Sequence, residues 1–118
     1  MFVKNVPFII PMKRQATSAN TFTAKTVPWR TDDVVIIDSI AVSVDAHQPK
    51  TVHIGVIRDE NVIYLETLVL NVNGNFFCTY APIRIPSGYR VVVRCVTPTT
   101  GVYYTINVFG HLEVECKE

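Results

Sequence analysis

The sequence predicts an all-β protein, an antiparallel jelly-roll-like sandwich of about eight strands preceded by an extended N-terminal arm. Three observations predict it. Runs rich in Val, Ile and aromatic residues alternate with period two, while no segment keeps a helical period. Gly, Pro, Asn and Asp punctuate those runs at short intervals, as a compact antiparallel domain requires. The first 31 residues carry Lys4, Lys13, Arg14, Lys25 and Arg30 with no Asp or Glu, and Pro7 and Pro11 interrupt their apolar stretch. Residues 1–30 are therefore expected to form the arm and residues 31–118 the sandwich.

Phe2, Val3, Phe8, Ile9 and Ile10 give the arm apolar groups, but its prolines bar it from a central strand. These residues need a partner, either the domain's own sheet or another subunit, and an arm free in the monomer is expected to be disordered. Removal of Met1 to Ala19 would then leave the domain folded. Phe2, Val3, Lys4, Phe8, Ile9, Ile10, Lys13 and Arg14 are the candidate partner-binding residues. TFTAKTV, still within the arm, adds a strand.

DVVIIDSIAVSV (33–44) is a long strand, apolar on both faces, with Ile36, Ile40, Val42 and Val44 of one parity and Val35, Ile37, Ala41 and Ser43 of the other. TVHIGVI and VIYLETLVL flank Asp59 and Glu60, polar residues suited to a tight hairpin turn. Asn73-Gly74 signals a second hairpin, because both residues tolerate positive φ. Pro86-Ser87-Gly88 is a corner before a strand in which Val91, Val93 and Cys95 oppose Arg90, Val92 and Arg94. The last strand keeps Val102, Tyr104, Ile106, Val108, Leu112, Val114 and Cys116 in one parity, and Gly110 within it admits a close approach by a bulky side chain or another backbone.

Composition narrows the function. Hydrophobic residues make up 48% and charged residues 18%, which places the chain with folded domains rather than disordered segments. The net charge of +1 conceals a split, since residues 32–118 hold six Lys or Arg against ten Asp or Glu, a formal −4. A basic arm suits an acidic protein surface. Five charges spread over 30 residues without an Arg cluster are a thin footprint for nucleic acid. No apolar run approaches the ~20 residues of a membrane span, and the opening segment lacks the form of a signal peptide. The chain has no Asn-X-Ser/Thr acceptor, so no secretory setting is expected.

The residues offer little for catalysis. Cys78, Cys95 and Cys116 fall in strand-like runs where a thiol is usually inert. His47, His53 and His111, with Asp32, Asp33, Asp45 or Glu113, lack the close spacing of a metal site. Asp32 and Asp33 are adjacent, so in a strand they point to opposite faces and cannot share a substrate. Neither a P-loop nor a nucleophile elbow nor a dinucleotide fingerprint occurs. No cofactor, metal or catalytic residue is expected. Exposed aromatic rings would suit a glycan, and Trp29 and Tyr103 are the candidates for such a surface.

The order TVPWRTDDVVIIDSIAVSV, TVHIGVI, a hairpin, IRIPSGYRVVVRCV and TGVYYTINVFGHLEV, with its corner Ile85-Pro86-Ser87-Gly88-Tyr89, resembles the small jelly-roll accessory proteins of tailed bacteriophage virions. The likeness covers residues 27–115 and is one of pattern. It implies a non-catalytic decoration or cement protein on the capsid, or a related head, neck or tail component. Such a protein would be assembled in the host cytoplasm, bound to the major capsid or another virion protein, and oligomeric. The same pattern is similar to receptor- or glycan-binding jelly-roll modules, the alternative reading.

Overall fold

A computed structural model describes residues 2–29, 32–45, 49–70, 76–78 and 82–116. Nine strands are described: β1 (Phe2–Gln15), β2 (Phe22–Lys25), β3 (Val34–Val44), β4 (Lys50–Arg58), β5 (Asn61–Leu70), β6 (Phe76–Cys78), β7 (Ile83–Ile85), β8 (Arg90–Val96) and β9 (Tyr103–Cys116). They form two antiparallel sheets, each four strands wide, and no helix occurs among the described residues. One sheet runs β1-β9-β3-β6, with β7 paired to β3 further along the edge that β6 occupies. The other runs β2-β8-β4-β5.

The alternation read in the sequence explains the core. From one sheet Ile40, Val42, Val44, Tyr104, Ile106 and Val108 face inward; from the other come Val52, Ile54, Val91, Val93 and Cys95, all essentially without exposure. In β3 the expected parity holds only from Ile40 onward. A bulge between Ile37 and Ser39 inserts Asp38 and reverses the phase, so Val35 and Ile37 are buried while Ile36 is half-buried. One extra residue turns each following side chain over. Ala41, assigned to the opposite face, is buried as well.

The segment expected to form an arm, with the domain's own sheet or another subunit as its partner, is laid into the sandwich. All 14 residues of β1 pair with β9, from Phe2↔Cys116 to Gln15↔Tyr103, and β2 pairs with β8. Prolines permit this at an edge. Ala16 donates its N–H to Val102 O at 2.9 Å, so by alternation Pro7 and Pro11 direct their nitrogens away from β9, where no ladder bond is lost. Met12 is buried in the core, and Phe8 and Ile10 pack against it. A chain lacking residues 1–19 would lose an edge strand, contrary to the expectation that it would stay intact.

The turns follow their local chemistry. Asp59 takes φ 55 between Arg58 and Asn61, and Gly88 takes φ 88 where Tyr89 N–H bonds Pro86 O at 3.2 Å. Gly55 faces a second bulge opposite β5, and a Cβ there would lie 2.3 Å from Ile63 O. Lys50 is buried and donates to Thr99 Oγ1 at 2.7 Å, fixing the connection that leads into β9. The Asn73-Gly74 turn and His47 lie outside the described residues.

Candidate functional site

β1 and β9 outlast the rest of their sheet. β3 begins pairing with β9 at Val34↔Glu113, so residues 2–4 and 114–116 continue as a ribbon of two strands. Fourteen-residue strands reach about 47 Å at ~3.4 Å per residue, which accounts for a longest dimension of 54 Å against 28 and 20 Å across.

The ribbon is amphipathic because the strand alternation does not stop where the second sheet does. Phe2, Lys4 and Val6 lie opposite Cys116, Val114 and Leu112, on the same face as the core-packed Phe8. Val3, Asn5 and Pro7 lie opposite Glu115, Glu113 and His111 on the other. Phe2 and Val3 are 57% and 59% exposed, too open to be core residues of this chain. At its base the Asp38 bulge aims a carboxylate at His111, Oδ2 to Nδ1 2.8 Å, and Glu113 lies 3.8 Å from the other ring nitrogen.

The eight candidate arm residues divide along this strand. Phe2, Val3, Lys4 and Ile9 are exposed, whereas Phe8 and Ile10 turn inward and serve the fold. Lys13 and Arg14 are exposed near the far end; Arg14 Nη1 donates to Lys13 O at 3.1 Å. The sequence did not single out Val6, Leu112 and Val114 as partner contacts, because the register that sets Leu112 and Val114 on the face of Phe2 comes from the pairing of β1 with β9.

The aromatic candidates are less available. Trp29 is half-buried against Phe8, with ring centroids 5.7 Å apart, and its backbone bonds Tyr89 O and Gly88 N–H at 3.3 and 2.7 Å. Tyr103 is 40% exposed, but the Lys13 ammonium stands 4.8 Å above its ring. Both residues, with Asp45 and Thr105 among the neighbours, line a shallow depression of about 310 Å³. One face of the Tyr103 ring, on which a sugar could stack, is therefore occupied by the chain's own cation.

Burial pushes the Cys95 thiol up to about 12, and burial followed by the nearby Cys95 raises the Tyr104 phenol to about 12. The buried Tyr104 hydroxyl has no hydrogen-bond partner among the described residues. Neither group is suited to act as a nucleophile or base near neutral pH. His53 Nδ1 sits 2.8 Å from Thr67 Oγ1 and its ring packs against Tyr64. Among the described residues no group of three His, Cys, Asp or Glu is arranged to hold a metal ion, and no helix is long and apolar enough to cross a membrane.

Compared with protein-family models and with curated proteins, the sequence matches none.

Proposed function

We propose that this protein is a non-catalytic structural component of a tailed-bacteriophage virion, a capsid decoration or cement protein that attaches through its N-terminal strand. The virion setting rests on the resemblance of residues 27–115 in pattern. The strand order supports a jelly roll, since β1, β9, β3 and the β6/β7 edge face β2, β8, β4 and β5 in the interleaved order of two Greek keys. That architecture also serves lectins and cupins, so the fold alone selects no function.

The observation that carries attachment is the ribbon. An isolated pair of strands is at best marginally stable in water, yet this one presents Phe2 and Val3 beyond the last residue of β3 that could support it, with the exposed Val6 at its base. Seating it in an apolar groove of a capsid subunit buries those side chains, and Lys4 can meet an acidic rim. Many copies binding only the assembled shell would stabilise it by mass action. The glycan-binding alternative draws less support, because Trp29 is half-buried and Lys13 covers one face of Tyr103.

The test has two parts. Particles purified from the encoding phage should contain the chain in a fixed ratio to the major capsid protein by quantitative mass spectrometry. Stripped particles should rebind the wild type but not Phe2→Ser/Val3→Ser/Val6→Ser, while both proteins show the same thermal unfolding. Absence of the chain from purified particles removes the virion reading; undiminished rebinding of the triple variant removes the ribbon.

A further inference from the structure

The two outer edges of the sandwich differ in chemistry. β1 borders one sheet and β5 the other, and they lie on opposite flanks, since β5 neighbours β6 rather than β1. Among the described residues the remaining edges are short: β2 has four residues, and β6 and β7 have three each. Of the 11 large hydrophobic side chains left exposed among the described residues, four belong to β1 (Phe2, Val3, Val6, Ile9) and five to β5 (Val62, Ile63, Tyr64, Leu65, Val69), so both long edges are apolar.

Their charges are opposite. β1 carries Lys4, Lys13 and Arg14 and no acid. The turn into β5 and the strand itself carry Asp59, Glu60 and Glu66 against Arg58 alone. The order along the long axis also matches. Phe8 packs on Trp29, Trp29 bonds the backbone of Tyr89, and the Arg58 guanidinium lies 5.8 Å from the Tyr89 ring. Lys4 and the Asp59-Glu60 turn therefore share one end of the sandwich. Lys13-Arg14 and Glu66 both lie further along towards the other.

We propose that the flank of β1 in one copy docks against the flank of β5 in a second copy. Like edges do not suit each other: two β1 edges would oppose cations and lack N–H donors at Pro7 and Pro11, and two β5 edges would oppose carboxylates across a bulge. The unlike pair joins apolar strips of opposite charge, and β5, which contains no proline, can donate N–H groups to the outward carbonyls of β1. Such a contact is heterologous. Repeated at a closing angle it makes a ring, a geometry suited to a particle's symmetry axis. The inference concerns the isolated protein and does not depend on which particle it decorates.

Native mass at low salt tests it. The wild type should exceed the 13.3 kDa of one copy, and added salt should lower the associated fraction. Lys13→Glu/Arg14→Glu and Glu60→Lys/Glu66→Lys should each run as one copy. An equimolar mixture of the two, and the chain carrying all four changes, should recover the wild-type mass. Should Glu66→Lys impair folding in a thermal melt, Glu60→Lys with Lys4→Glu supplies the same exchange at the other end. A wild type that stays at one copy at millimolar concentration overturns the proposal, as does a charge-reversed edge that leaves association unchanged.

Discussion

Replacing Gly110 by Ala tests how tightly β1 is seated. Gly110 lies in β9 between Phe8 of β1 and Ile37 of β3, and an added Cβ would stand 2.4 Å from Ile36 O and 2.6 Å from Phe8 Cζ. Ordinary contact begins near 3.4 Å, so each neighbour would have to yield by about 1 Å. The Phe8 ring can swing, at the expense of its packing on Trp29. The Ile36 carbonyl is backbone, next to the Asp38 bulge, and can retreat only by loosening the β3-β9 ladder. Overpacking costs ~1–3 kcal/mol, and each weakened ladder bond about 1 kcal/mol. The reduced entropy of the unfolded chain returns ~0.4–1 kcal/mol. The expected net loss is about 2–4 kcal/mol, or roughly 6–20 °C in Tm for a domain of this size. Urea unfolding followed by Trp29 fluorescence measures it, since the indole reports on the Phe8 contact. Gly101→Ala is the control: among the described residues nothing lies within 4 Å of its Cβ, and its φ of 88 limits the cost to about 1 kcal/mol of backbone strain. A Gly110→Ala protein within 0.5 kcal/mol of wild type would refute the close approach and the packing built on it.

Three further outcomes follow from the same geometry. Deleting residues 1–19 removes the whole β1 ladder and uncovers β9, so circular dichroism should show a protein largely unfolded or melting far below wild type; an unchanged melt would mean that β1 is dispensable. Met12→Ala leaves a cavity under that strand and should cost about 2–4 kcal/mol in urea unfolding; a loss below 0.5 kcal/mol would place Met12 outside the core. Cys95 should resist a thiol reagent at pH 8 until the chain unfolds. Because its pKa rises from 9.0 to about 12 on folding, the unfolded state alone ionises between those values. Cys95 thus contributes stability that is intact below pH 9 and declines from there to about pH 12, with Tyr104 acting in the same direction from 10 to about 12. Stability that is constant from pH 8 to 11 would contradict both shifts.

The sequence by itself determined the class of fold and most of its strands, because period-two alternation and turn chemistry are local. Val52, Ile54, Val91, Val93, Tyr104 and Ile106 could be assigned inward from parity alone, and the structure buries them all. It also carried the division between a basic, acid-free opening segment and an acidic remainder. Gly110 was legible as a point of close approach, although Phe8 and the Ile36 carbonyl as its neighbours were not. What the tertiary structure decided was where the chain closes on itself. The prolines of residues 2–15 read as marks of an arm, yet they fall on alternate backbone positions that face away from β9, and only the pairing reveals which side needs N–H donors. The phase reversal at Asp38 was likewise invisible, since a bulge is defined by two residues facing one on a strand about 70 positions later. Phe2, Val6, Leu112 and Val114 share a face, and β1 and β5 oppose each other across the sandwich, for the same reason: both juxtapositions come from long-range pairing, which a reading along the chain does not contain.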